Sequence, residues 1–146
     1  MIDDDDLNDE LDMFIEAQDA VWSDVLRELE HGQKTSHWMW FVFPQLAELG
    51  RSHMAQLYGI EDLDEATAYL DHTDLRQRLT KVAGLMLQHK GRDASDILGG
   101  IDAKKLRSSM TLFSSVPGAP PEFQAVLDAF YAGQPCERTL QILQMS

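Results

Sequence analysis

The sequence has one cysteine, Cys136, so no disulfide can form within the chain and no thiolate zinc site can be completed. That suits a reducing compartment, and the residues next to Cys136 give no sign of a thiolate-activating site. Bases are also scarce: 12 Lys and Arg stand against 25 Asp and Glu, for a formal net charge of −13. So acidic a surface repels phosphate backbones and anionic membranes, which argues against nonspecific binding to either. Long apolar runs are missing too. The longest, Trp38 to Phe43, is far too short to span a bilayer. The start, Met-Ile-Asp-Asp-Asp-Asp, is the reverse of a signal peptide's basic opening. A cytoplasmic protein without membrane association is expected.

Several chemical signatures are absent as well. His31, His37, His53, His72 and His89 form no H-E-x-x-H pair, so neither a metal centre nor a cofactor is expected. There is no P-loop and no G-x-G-x-x-G after a strand. Ser108 and Ser109 lack the G-x-S-x-G elbow of serine hydrolases. Carboxylates are plentiful, but spacing alone selects no acid–base pair, and no catalytic residue is assigned.

Hydrophobic residues make up 44% of the 146, enough for one core in one domain. Leu11, Phe14, Ile15, Val21, Trp22, Val25, Leu26 and Leu29 recur at steps of three and four, a helical stripe that Gly32 closes. Residues 1–10 read as a frayed acidic lead-in and 11–146 as a single helical domain; the run Asp3 to Asp6 has no enforced geometry for a cation. Trp38 to Phe43 is apolar on every face and fits a buried strand or a short helix. Ser52 is placed to cap a short helix, and Asp62 with Glu65 has capping-box spacing. His72 reads as a partner for a helix C-terminus, and Asp102 as the cap of a helix carrying Leu106, Met110 and Phe113. Pro117-Gly118-Ala119-Pro120-Pro121 is a loop, and short helices follow it. The expected architecture is all-α, an irregular array of about six to eight helices of unequal length.

Two segments stand out chemically. In the first, Trp38 and Trp40 lie among His37, Gln45, Arg51 and Ser52, a mixture suited to a planar ring joined to an anion. Its structural reading is a strip of core. In the second, Lys104-Lys105-Leu106-Arg107-Ser108-Ser109 reverses the local charge, and on a helix Lys104, Arg107, Ser108 and Thr111 share a face. Its structural reading is ordinary pairing with acids elsewhere and hydroxyls bonded back to helix carbonyls.

Ser36-His37-Trp38-Met39-Trp40-Phe41-Val42-Phe43-Pro44-Gln45-Leu46 and Asp102-x-x-Lys105-Leu106-Arg107-Ser108-Ser109-Met110-Thr111-Leu112-Phe113 resemble the bacterial family catalogued as domain of unknown function 1810. So do Ala17-Gln18, Leu49-Gly50-x-Ser52, Tyr58-Gly59-Ile60 and Glu65-Ala66-x-x-Tyr69-Leu70-x-His72. The likeness covers about residues 11 to 143 and implies a mainly helical single domain with no established activity. Some members carry the label calpastatin, a calpain inhibitor, a role nothing in this chain supports. Two departures are visible: the family tends to have His-Pro where this chain has His72-Thr73, and often an Asp where it has Cys136. The stretch from Lys104 to Phe113 also resembles the NAD- and ADP-ribose-associated hydrolases, a likeness that carries no residues across.

The leading functional reading is binding, with hydrolysis as an extension, of a small anionic ligand such as a nucleotide or ADP-ribose derivative. The residues assigned to it are His37, Trp38, Trp40, Gln45, Arg51, Ser52, Lys105, Arg107, Ser108 and Ser109. The alternative is a non-enzymatic protein-interaction module that uses the acidic surface or an aromatic patch, with the protein partner unknown.

Overall fold

The N-terminal stripe builds the longest element. The computed structural model describes the backbone of residues 4–145 and the side chains of residues 10–145, and in it α1 runs Asp4–His31. Residues 1–3 of the expected lead-in, Asp3 included, lie outside the described residues; from Asp4 that segment is helical rather than frayed. Leu11, Phe14, Gln18, Val25 and Leu29 are buried. Gly32 ends α1 at φ +72, and the Gln33 N–H closes back on the Glu28 carbonyl at 3.0 Å. A side chain at Gly32 would meet strained backbone and, at 2.3 Å, the Arg92 guanidinium. His89 seals the same corner, donating from Nε2 to the Leu29 carbonyl at 2.7 Å.

The apolar run Trp38 to Phe43 is a single helical turn, α2 (Met39–Val42), closed by N–H bonds from Val42 to Trp38 and from Phe43 to Met39. Among the described residues there is no strand for it to pair with; the extended contact of this region is one parallel bridge just beyond it, between Leu46 and Ile60. A 3-10 turn (Ala47–Leu49) and α3 (His53–Leu57) follow. Ser52 caps α3, its hydroxyl accepting from the Ala55 N–H at 3.1 Å. Asp62 caps α4 (Leu63–Asp71) by accepting from Glu65 N–H at 2.9 Å.

His72 departs from expectation. It ends α4 but also begins α5 (Thr73–Leu87), where its ring accepts from the Leu75 N–H. The short α6 (Ala94–Leu98) leads into α7 (Gly100–Ser114). Asp102 is not the cap of α7, which starts two residues earlier; its carboxylate instead pairs with Lys34 at 2.8 Å and Lys105 at 3.5 Å. Helices α8 (Pro121–Tyr131) and α9 (Glu137–Met145) complete the chain. The nine α-helices among the described residues exceed the expected count because α2, α3 and α6 are only four or five residues long.

Helix α7 is the hub and packs against α4, α6, α8 and α9, while α1 packs on α2 and α5. Seven consecutive α7 residues before Ser114 show why: Arg107 is half-buried, and Ser108 to Phe113 are all buried. Aromatic rings tie the hub to its neighbours, with Tyr69 5.2 Å from Phe14 and 5.0 Å from Phe113, and Phe113 6.2 Å from Phe123. Gln18 is buried among them and donates to the Phe41 carbonyl at 2.7 Å and to the Tyr69 oxygen at 3.2 Å. No helix among the described residues is long and apolar enough to cross a membrane.

The segment from residue 45 to 60 folds back closely on itself at Gly59. A Cβ there would lie 2.4 Å from Ala47 Cα and 2.6 Å from the Ala55 carbonyl oxygen, both backbone atoms. Gly59→Ala is therefore expected to cost about 3 kcal/mol, at the upper end of overpacking penalties, measured as a lower urea midpoint. An unchanged midpoint would show that the strap yields freely.

Candidate functional site

The amphipathic pattern of α7 leaves a narrow outward edge carrying Lys104, Lys105 and Ser108. Two concavities meet along it. One, about 720 Å³, lies between α7 and the loop leading into α9 and is lined by Lys104, Arg107, Ser108, Gln134 and Cys136. The other, about 410 Å³, lies between α7 and the strap of residues 45–55 and is lined by Gln45, Arg51, Ser52, Lys104, Lys105 and Ser108. Lys104 and Ser108 line both, so the two form one open groove across the helix.

The groove inverts the charge of the molecule. Arg51, Lys104, Lys105 and Arg107 all line it, against a single carboxylate among the described residues, that of Glu137. Among the described residues, only Lys105 of these four cations makes an ion pair, with Asp102. Arg107 is oriented by its neighbours: Nε donates to the Gln134 carbonyl at 3.0 Å, and the guanidinium lies 5.5 Å from the Tyr131 ring centre. Tyr131 in turn donates to the Ala103 carbonyl, and burial pushes its hydroxyl pKa up.

Lys105 sits on Trp40, its ammonium 5.1 Å from the ring centre. The gap enclosed by Trp40, Phe43, Gln45 and Lys105 holds only about 10 Å³, room for one water at most. A ring stacking on Trp40 must therefore displace Lys105, whereas an anion meets Lys104 and Lys105 without rearrangement.

Cys136 corrects the sequence reading. It stands immediately before α9, and its N–H donates to Thr111 Oγ1 at 2.8 Å. Burial pushes its thiol up. The Ser108 hydroxyl and the N–H groups of Thr139 and Arg138 outweigh that and bring it below its usual value. Ser108 Oγ lies 3.1 Å from the Lys104 carbonyl and 3.5 Å from Cys136 Sγ, so its one proton is shared between two acceptors. The thiolate-stabilising groups come from the turn after Cys136 and from α7, which is why the flanking sequence gives little sign of them. The legible clue is Cys136-x-x-Thr139 at the position of a helix cap, where the resembled family often has Asp.

The structure thus gathers Gln45, Arg51, Ser52, Lys105 and Ser108 along one groove, with Arg107 at its far end, and sets Trp40 behind Lys105 in the adjoining gap. It does not bring the rest there. His37 is exposed elsewhere. Trp38 is fully buried, with Lys34 5.0 Å from its ring centre and its indole N–H donating to Glu28 Oε1 at 3.1 Å. Ser109 is fully buried in the hub, and its hydroxyl has no partner among the described residues. Lys104, Gln134 and Cys136 line the groove but were outside the set assigned from sequence. No group of three or more His, Cys, Asp or Glu among the described residues is placed to hold a metal ion.

The profile of the family described as "Protein of unknown function (DUF1810)" matches residues 8–143. The crystal structure of the conserved hypothetical protein Rv1873 from Mycobacterium tuberculosis is similar, at 45% sequence identity and a TM-score of 0.91. The similarity covers 94% of this chain and 98% of that one. No curated protein matches the chain.

Proposed function

The chain belongs to the DUF1810 family, whose description assigns no activity, and we propose from its groove that it binds a small polyanion such as a nucleotide or ADP-ribose derivative. One observation carries the reading. Four cations line a single groove in a chain of net charge −13, and three of them make no ion pair among the described residues. Cations left unneutralised where acids are abundant suit a ligand that supplies the missing charge. Phosphate groups are held over Lys104 and Lys105, with Arg51 as a further donor. Gln45 lines the groove beside Arg51, placed to bond a polar ring. Hydrolysis is not part of the reading, because the groove's one carboxylate, Glu137, has no partner carboxylate across it for acid–base work.

Titration of ADP-ribose, AMP, ATP and pyrophosphate, followed by calorimetry and by melting temperature, tests this. At least one is expected to raise the melting temperature, since a ligand that binds only the folded state stabilises it. A hydrogen bond to a charged group is worth about 1.5–3 kcal/mol, so Lys105→Ala weakens that ligand roughly 10- to 100-fold. Lys81→Ala, an exposed base on α5, leaves it unchanged. If none of the four binds, or if Lys81→Ala weakens binding as much as Lys105→Ala, the groove is not an anion site.

A further inference from the structure

A second groove has the opposite character. Two depressions of about 260 and 270 Å³ meet at Glu61. The first lies between α1 and the α3–α4 region and is lined by Glu10, Met13, Leu57 and Glu65; the second lies towards α9 and is lined by Glu48, Asp62 and Met145. No base among the described residues lines either one. The floor is apolar. Leu57 and Met145 are two of the three large apolar side chains exposed among the described residues, at 44% and 85%, and Phe14 closes the bottom of the first depression.

Glu65 is a half-buried member of this acid cluster and makes no ion pair among the described residues. Burial pushes its carboxyl up. The Glu61 N–H, bonded to Oε2 at 3.2 Å, opposes this, but Glu10 from α1 and Glu61 and Asp62 from the turn before α4 raise it again, to about 7. A cation entering the groove restores the carboxylate, while apolar side chains cover Met13, Leu57 and Met145. Neither partner chemistry alone suits both features: a bare cation leaves the floor wet, and an apolar ligand leaves the acids uncompensated.

We propose that this acid-rimmed groove is a docking surface for an amphipathic segment of a partner protein. Apolar side chains of that segment rest on Met13 and Leu57, and lysine or arginine side chains face Glu10, Glu61 and Glu65. This is the helix-in-groove mode of recognition, with anchors at helical spacing. It is independent of the anion groove, with which it shares no residue.

A fluorescein-labelled 18-residue peptide with leucines at i, i+3, i+4 and i+7 and lysines elsewhere is the probe, read by anisotropy on the full chain. Binding is expected, with at least a tenfold loss in Glu61→Lys and in Leu57→Ser. Glu30→Lys, an exposed α1 site with the same change in net charge, should retain the affinity. Affinity is also expected to weaken as the pH falls from 8 to 6, because Glu65 takes up a proton in that window. No binding overturns the proposal. Equal losses in Glu61→Lys and Glu30→Lys reduce it to diffuse charge attraction. If spermine binds as well as the peptide and Leu57→Ser binds both normally, the surface is a polyamine site and not a docking groove.

Discussion

Glu28→Ala is expected to destabilise the protein by about 4 kcal/mol, read as a lower urea midpoint with an unchanged slope. The carboxylate is buried at the end of α1, and one oxygen, Oε1, accepts from the Thr35 N–H at 2.7 Å, the Ser36 N–H at 2.8 Å and the Trp38 indole at 3.1 Å. The two backbone donors lie near solvent, where water can replace the lost acceptor. The indole cannot recruit water, because Trp38 is fully buried. Leaving that donor orphaned costs about 1–3 kcal/mol, and loss of the knot that folds residues 35–38 back over α1 adds the remainder. Glu28→Gln retains an acceptor oxygen but gives up the charge and puts an amide NH2 where the buried Oε2 has no partner, so a loss smaller than that of Glu28→Ala is expected.

The pH dependence identifies the charge. Burial pushes the Glu28 carboxyl up, but the Ser36 and Thr35 N–H groups and Trp38 outweigh it and hold it at about 2, against 4.5 for an unperturbed glutamate. A depressed carboxyl contributes fully above its unfolded value and loses that contribution as the pH falls from about 4.5 to about 2. Stability in that window should fall less steeply in Glu28→Gln. Glu65 works the other way. Its raised carboxyl makes the folded state bind the extra proton between 4.5 and about 7, so its contribution declines as the pH rises through that range. Glu65→Gln should stabilise the chain above pH 7 while Glu28→Gln destabilises it, a difference in sign that urea titrations at pH 8 can resolve.

Legibility in the sequence followed the range of the interaction. The Ser52 and Asp62 caps were readable because each side chain bonds a backbone N–H three residues ahead. The α1 stripe and the Gly32 stop were readable for the same local reason. Trp38 to Phe43 was ambiguous because an all-apolar run has no period, and only its tertiary surroundings choose a helical turn over a strand. Asp102 has the right residue type for a cap, but Lys34, far away in sequence, claims its carboxylate. The site divides in the same way. That Lys104, Arg107, Ser108 and Thr111 share a helical spacing was visible. That Thr111 turns inward to receive the Cys136 N–H was not, since it depends on where α9 docks. Lys105 over Trp40 and Ser108 beside Cys136 are likewise contacts between distant segments that no local pattern encodes.

Trp38→Ala should be the most damaging change within the aromatic segment, at about 3–5 kcal/mol, whereas Trp40→Ala should cost about 1 kcal/mol. The two tryptophans are two residues apart on one helical turn and so face different ways. Trp38 is fully buried, 6.3 Å from Phe43 between ring centres, and its removal leaves a large cavity and takes away the indole donor. Trp40 is only half-buried, and its loss removes chiefly its packing against Lys105. Trp38→Phe separates the two parts of the first effect, since it preserves most of the ring volume and deletes the N–H. Because Glu28 and Trp38 share one hydrogen bond, the double variant Glu28→Ala/Trp38→Ala should lose less than the sum of the single variants. Paired urea titrations of the wild type, the two single variants and the double variant measure this. If Trp40→Ala proved as costly as Trp38→Ala, the whole segment would be core, with Lys105 resting on a structural ring. If Trp40→Ala stays folded, it becomes the variant in which to ask whether ADP-ribose or AMP binding depends on the Lys105–Trp40 contact.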